Sequence, residues 1–239
     1  MLELCTRDQW SARDLDWSGS PRSMPKDDEI AIVQYFTDMA VIERLAGALF
    51  REQERRVSDP TLQAIFRSFV KDEMRHSHVA QMLADYYDVH GYRHYRPNRS
   101  LERFFPPFLD AIVLLSPDVA NLYITVGELV LDVALLRSIN DFVADSMSAR
   151  AMELINRDES RHIAIDYHMV EYYASDAYQA SRARAPRPDA RTRLKAAYTF
   201  TKLTFEAKPL FHDVFFAPMQ RMGAGARLRE AFRRFQLLE

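Results

Sequence analysis

The sequence predicts an all-α fold: a four-helix bundle made from a duplicated helical hairpin, with additional C-terminal helices. Three observations carry that prediction. Glycine is scarce, 6 in 239 residues, and few stretches alternate apolar with polar residues as strands would. Capping residues followed by proline, as in Ser58-Asp59-Pro60 and Ser116-Pro117, open long helical runs. Most informative, two segments spell nearly the same words, Asp72-Glu73-Met74-Arg75-His76 and Asp158-Glu159-Ser160-Arg161-His162. Each follows a lone carboxylate in an apolar run at a matching interval: Glu43 lies 30 residues before Glu73, and Glu128 lies 31 before Glu159.

Residues 1–26 lack periodicity and hold both tryptophans, Trp10 and Trp17, so they predict an arm lying on the surface of the fold. A first helix is expected over 27–57. Asp59 caps the second, which runs from Pro60 to about His90 and stops at Gly91. A connection containing Pro97, Pro106 and Pro107 leads to an apolar stretch from Phe108. The third bundle helix is expected from Pro117 to about Val143, and the fourth from Ser148 to about Ala174. Residues 176–188, rich in Ala, Arg and Pro, predict a linker. Two further helices follow, near 189–216 and 225–238, with Gly223 and Gly225 between them. The organisation is thus an arm (1–26), a bundle (27–175), and a linker with C-terminal helices packed on the bundle (176–239).

At 1.5 Å per residue, Glu43, Glu73, Glu128 and Glu159 each lie roughly 16–24 Å from the start of their own helix, so antiparallel helices bring them to a common height. Helical neighbours at three, four and seven positions share a face. Around Glu43 these are Phe36, Met39, Ala40 and Phe50; around Glu73, Phe66, Phe69 and His76; around Glu159, Met152, Ile155 and His162. Beside Glu128 stand Ile124, Thr125, Leu131 and Leu135. A carboxylate inside an apolar stripe is costly unless paired or bound to metal. A single Glu-x-x-His is common on solvated helices, but two copies, each following a buried Glu at a near-identical interval, form the ligand set with which a bundle holds two metal ions. Four carboxylates balance two divalent charges, and a carboxylate-rich site with some imidazole favours Fe or Mn over Zn.

At 239 residues the chain fits one large domain, or a core domain with an appendage. Its 48% apolar and 28% charged residues, with a net charge of −2, are ordinary for a soluble protein with a buried core. Cys5 is the single cysteine, so no intrachain disulfide forms and a reducing compartment is expected. No secretory signal and no apolar run near the roughly 20 residues of a membrane span is visible, so the expectation is a soluble, cytoplasmic protein without membrane contact. Residues 181–239 carry 13 Lys/Arg against 5 Asp/Glu, leaving 19 against 29 in residues 1–180. That asymmetry fits a solvated basic face, or docking of an acidic partner; the balance as a whole does not support nucleic-acid binding.

The order Glu…Asp-Glu-x-Arg-His…Glu…Asp-Glu-x-Arg-His resembles the ferritin-like di-iron carboxylate superfamily, in its oxygenase and oxidase branch, over residues 27–175. The resemblance implies two iron ions (Mn or Fe/Mn as alternatives) with O2 as co-substrate. It implies Glu43, Glu73 and His76 on one ion, Glu128, Glu159 and His162 on the other, and Glu73 and Glu159 as bridges. It also implies that Asp72 supports His162 and Asp158 supports His76, with Arg75 and Arg161 neutralising the aspartates. Ala80 stands where ribonucleotide reductase small subunits carry a radical tyrosine, and Ile155 where arylamine N-oxygenases add a histidine, so neither specialisation is expected.

The expected activity is therefore oxidation of a small organic substrate, by hydroxylation, N-oxygenation, desaturation or C–C cleavage, with electrons from a ferredoxin or flavin reductase. Ferroxidase or iron-handling chemistry, a Mn catalase-like activity, and a helical interaction protein with a vestigial site are the alternatives. A monomer or homodimer is expected rather than a cage, and an acidic carrier protein could present the substrate. Thr125, one turn before Glu128, is the candidate catalytic hydroxyl, or else a helical Thr bonded to backbone. Gly47 would open space beside the metals or allow close helix packing. The apolar residues flanking the ligands, Phe36 and Met152 among them, would line a pocket or fill the core, and the aromatic segment 205–216 would lid it or cover one bundle face.

Overall fold

The computed structural model describes residues 1–129 and 142–221, with Arg233. Helix follows helix: α1 (Leu2–Arg7), a 3₁₀ turn at Ala12–Asp14, α2 (Lys26–Arg56), α3 (Pro60–Tyr87), α4 (Arg99–Leu114), α5 (Pro117–Leu129), α6 (Ser146–Ala174), α7 (Asp176–Arg184), α8 (Ala190–Leu210), a π-helical turn at Phe211–Phe216 and α9 (Ala217–Arg221). No strand occurs among the described residues. The expected stretch to Val143 beyond α5, with Leu131 and Leu135, falls largely outside the described residues, as does the expected helix 225–238.

α2 lies beside α3 and α5, and α6 beside the same two, which gives the square section of a four-helix bundle. Local chemistry sets the ends. Asp59 accepts from the backbone N–H groups of Thr61 and Leu62 with Pro60 in the first turn, so α2 stops and α3 starts within three residues. The α6 start lies earlier than Ser148: Asp145 is the cap, accepting from the N–H groups of Met147 and Ser148, after Ala144 at a φ of +48°. Tyr87 donates to the same aspartate, joining the end of α3 to the start of α6.

Three departures from the sequence reading have physical causes. The connection after Gly91 was expected to extend through Pro107, yet α4 begins at Arg99, capped by Asn98, and runs through Pro106 and Pro107. Its apolar face, with Leu101, Ala111 and Ile112 buried, outweighs the two missing N–H donors. Residues 176–184 form the exposed helix α7 rather than linker, because Ala and Arg are strong helix formers and Ser175 caps them. The expected single helix 189–216 changes register after Pro209, whose missing donor precedes the π turn.

Two apolar clusters fill the bundle, one holding Ile32, Phe36, Met39, Leu83 and Tyr87, the other Phe50, Phe66, Phe69, Ile124 and Met169. The first draws on α2 up to Leu45 and the second on α2 from Leu49 onward, so Glu43 stands close to the level where they meet. α4 covers α2 and packs against α8. Among the described residues no helix is long and apolar enough to cross a membrane.

Candidate metal centre

All six residues singled out by spacing meet at that level. Glu43, Glu73, His76, Glu128, Glu159 and His162 are each at most 3% exposed. They form two overlapping groups, Glu43–Glu73–His76–Glu159 and Glu73–Glu128–Glu159–His162, and within each the ligand atoms lie within 4.8 Å of one another. Glu73 and Glu159 belong to both. The buried acid–imidazole cluster can hold metal.

Both imidazoles turn the same nitrogen inward. His76 Nδ1 lies 3.0 Å from Glu159 Oε1 and 4.0 Å from oxygens of Glu43 and Glu73. His162 Nδ1 lies 3.1 Å from Glu73 Oε1 and 3.2 Å from Glu159 Oε2. The outward nitrogens face carboxylates of the opposite helix: His76 Nε2 is 3.0 Å from Asp158 Oδ2, and His162 Nε2 is 3.5 Å from Asp72 Oδ2. Such a partner fixes the tautomer that leaves Nδ1 free to bind metal.

The fit to cations is visible in the polar atoms left over. Both oxygens of Glu43 and of Glu73, one each of Glu128 and Glu159, and His76 Nδ1 are buried without a hydrogen-bond partner among the described residues. Acceptors crowded this way at full burial are unfavourable unless protons or metal ions neutralise them. Burial and the neighbouring carboxylates push Glu73 and Glu128 well above the usual carboxylate range, and burial takes Glu43 up to about 6. Burial alone would lower His76, but its hydrogen bond to Asp158 and the close approach of Glu159 raise it to about 10. The same opposition, with the nearby Glu159 charge strongest among the raising causes, lifts His162.

The two aspartates are the hub of the surrounding shell. Arg75 Nη2 donates to Asp72 Oδ1 at 2.5 Å and to Asp158 Oδ2 at 2.7 Å, and Arg161 Nη2 donates to Asp158 Oδ1 at 2.5 Å. Both arginines are largely withdrawn from solvent, with side chains 12% and 6% exposed, so these are not solvated surface pairs. Burial would raise Asp158, but the contacts with His76, Arg75 and Trp10 hold it far below the usual range.

Sequence reasoning missed the arm's part in this shell. Trp10 Nε1 donates to Asp158 Oδ2 at 2.7 Å, its ring stacks on His76, and the Arg75 guanidinium lies 4.9 Å above it. The preceding residue, Gln9, donates to Asp72 Oδ1 at 3.2 Å and accepts from Arg75. Consecutive arm residues thus hold the two aspartates. The signal available in the sequence was a tryptophan in a polar segment without periodicity.

Other expected residues separate from the chemistry. Thr125 is buried beside Glu128, but its hydroxyl donates to the Asn121 carbonyl at 2.9 Å, which commits its proton to the helix backbone. Gly47 permits close packing of α2 on α3, since a Cβ there would meet Glu73 Cβ at 3.2 Å. Phe36, Phe50, Phe66, Phe69, Met152 and Ile155 are core. Phe50 and Phe69 press on the His162 ring. A cavity of about 370 Å³ lies on the other side of the centre, between α2, α4, α5, α8 and the π turn, and Glu128 forms part of its wall. Leu210, Phe211 and Phe215 line it, so the aromatic C-terminal segment forms part of the cavity wall. A separate groove on the outer side of α8, lined by Phe200 and Phe205, touches none of the six cluster residues.

Comparison with protein-family models, with curated proteins and with solved structures finds no match to this chain.

Proposed function

We propose that the protein is a non-haem di-iron oxidoreductase of the ferritin-like type, which uses O2 to oxidise a small organic substrate. The observation that supports this most is the sharing of Glu73 and Glu159 between two buried three-carboxylate, one-imidazole groups. Glu43 and His76 would hold one ion, Glu128 and His162 the other, and Glu73 and Glu159 would bridge. Four carboxylates and two neutral imidazoles suit Fe, with Mn the nearest competitor. Held there, the two ions would supply the redox chemistry that O2 reduction requires.

The chain's own residues prepare that chemistry. Asp158 accepts from His76 Nε2, and Asp72 Oδ2 faces His162 Nε2 at 3.5 Å, an arrangement that would keep Nδ1 as the ligand atom. Arg75 and Arg161 offset the aspartate charge. Phe50 and Phe69 keep water from the His162 side of the centre. Electrons would come from a ferredoxin or flavin reductase, with the basic C-terminal region as docking face; an acidic carrier protein is an alternative occupant of that face. The cavity beside Glu128 favours an organic substrate over iron storage, the second reading, which needs no apolar chamber.

The test is anaerobic titration with Fe(II), then O2 uptake. Two irons per chain and O2 consumption dependent on an added organic molecule are expected. Uptake of neither Fe nor Mn would overturn the proposal, and O2 consumption proportional to iron alone, with mineral formation, would transfer it to iron handling.

A further inference from the structure

We propose that the cavity beside Glu128 is the substrate pocket, and that it takes an uncharged, hydrocarbon-rich molecule. This rests on the oxidoreductase reading above and narrows it to a substrate class.

Position comes first. Glu128 enters the cavity wall from the metal centre, and Ala46 enters it three residues beyond Glu43, on the same side of α2. The chamber therefore reaches the Glu128 carboxylate of the candidate centre, and a molecule filling it would stand next to that ligand. Ala120 and Ile124, two turns and one turn before Glu128, continue the wall along α5.

Chemistry selects the class. No Lys, Arg or His lines the cavity among the described residues; its polar groups are Glu128, Tyr123 and Thr204. Thr204 already donates to the Phe200 carbonyl. An anionic substrate would lose its hydration without a compensating cation and would face the Glu128 carboxylate, so carboxylates and phosphates are disfavoured inside. Ammonium groups are disfavoured because Glu128 would serve the metal and no second acid lines the wall among the described residues. What remains is apolar contact with aliphatic and aromatic side chains. An apolar protein cavity of about 150 Å³ binds benzene, so about 370 Å³ corresponds to roughly 12–15 non-hydrogen atoms.

The experiment uses the full chain and three probes of one shape: biphenyl, biphenyl-4-carboxylate and 4-biphenylmethylamine. Binding is followed by calorimetric titration, on the protein as purified and again after iron loading. Biphenyl is expected to bind at least tenfold more tightly than either charged probe. Ala46→Phe and Thr204→Trp, which enlarge the wall, are expected to weaken biphenyl at least tenfold while iron stoichiometry stays at two. Should Ala46→Phe fail to fold, Thr204→Trp at an exposed position carries the test. Equal or tighter binding of a charged probe, absence of biphenyl binding, or indifference to both substitutions would overturn the proposal. Iron stoichiometry on the same samples separates the two readings. Two irons without biphenyl binding reject the pocket alone. Biphenyl binding without iron uptake rejects the oxidoreductase, and with it the substrate role.

Discussion

Loading the centre with divalent iron is expected to raise the melting temperature by roughly 10–20 °C, and Glu73→Gln to abolish most of that rise. The reasoning starts from burial. The four carboxylates are 0–3% exposed, and burial with mutual repulsion pushes Glu73 and Glu128 well above the usual range. Without a cation the cluster is held by protons and by the raised imidazoles; with one, the unpaired oxygens gain partners that exist only in the folded chain. An ion that binds only the folded state contributes about 2.7 kcal/mol per site at a hundredfold excess over its Kd, hence about 5 kcal/mol for two. In a chain of this size 1 kcal/mol moves the melting temperature by about 2–4 °C. Glu73 serves both groups, so its amide weakens both sites, whereas Glu43→Gln touches one and should halve the rise. In chelator-treated protein both amides should be neutral or stabilising, because each removes an acid from a like-charged buried cluster. Calorimetry of chelated and anaerobically loaded samples checks all of this. A rise that persists in Glu73→Gln, or no rise in the parent protein, refutes the reasoning.

Three further outcomes follow from the same geometry. Asp158→Asn should weaken metal binding about 10–100-fold by loosening His76, and should cost stability as well because it leaves Arg75 and Arg161 short of charge; a competition titration beside a urea melt separates the two effects. Gly47→Ala gains up to about 1 kcal/mol of helix propensity, but displaces Glu73 by a few tenths of an ångström, so melting should change little while iron affinity falls; unchanged affinity would show that the close approach of α2 and α3 does not set the ligand position. Asp38 is buried and raised to about 6 by burial, against which hydrogen bonds from the Asn98 backbone and Gln34 act. Its folded value exceeds the unfolded one, so between about pH 4 and pH 6 the native state binds more protons and stability falls as pH rises. Relative to Asp38→Asn, the parent should lose about 2–3 kcal/mol from pH 4 to pH 7 in urea melts, and parallel curves would refute the assignment.

The bundle was legible because its information is local and repeated. The ligand interval, the Asp59-Pro60 break and the apolar faces of α2, α3 and α6 can each be read within one helical hairpin, and shared height then brings Glu43, Glu73, Glu128 and Glu159 together. α4 was obscured because Pro106 and Pro107 are local stop signals that burial of Leu101 and Ile112 overrides. Gln9 and Trp10 were invisible for another reason: their partners stand on helices far along the chain, and a segment without periodicity does not reveal which way it faces. The cavity escaped for a similar reason, since four helices distant in sequence form its wall.

The hydrogen bond from Trp10 to Asp158 joins residues 148 positions apart. During synthesis the arm leaves the ribosome long before its acceptor, which is made only when α6 appears. Until then, the Glu73–His76 half of the cluster lacks both its facing helix and its aspartate. Maturation should therefore proceed from late chain closure to metal capture, with docking of the arm as the latch that completes the cluster.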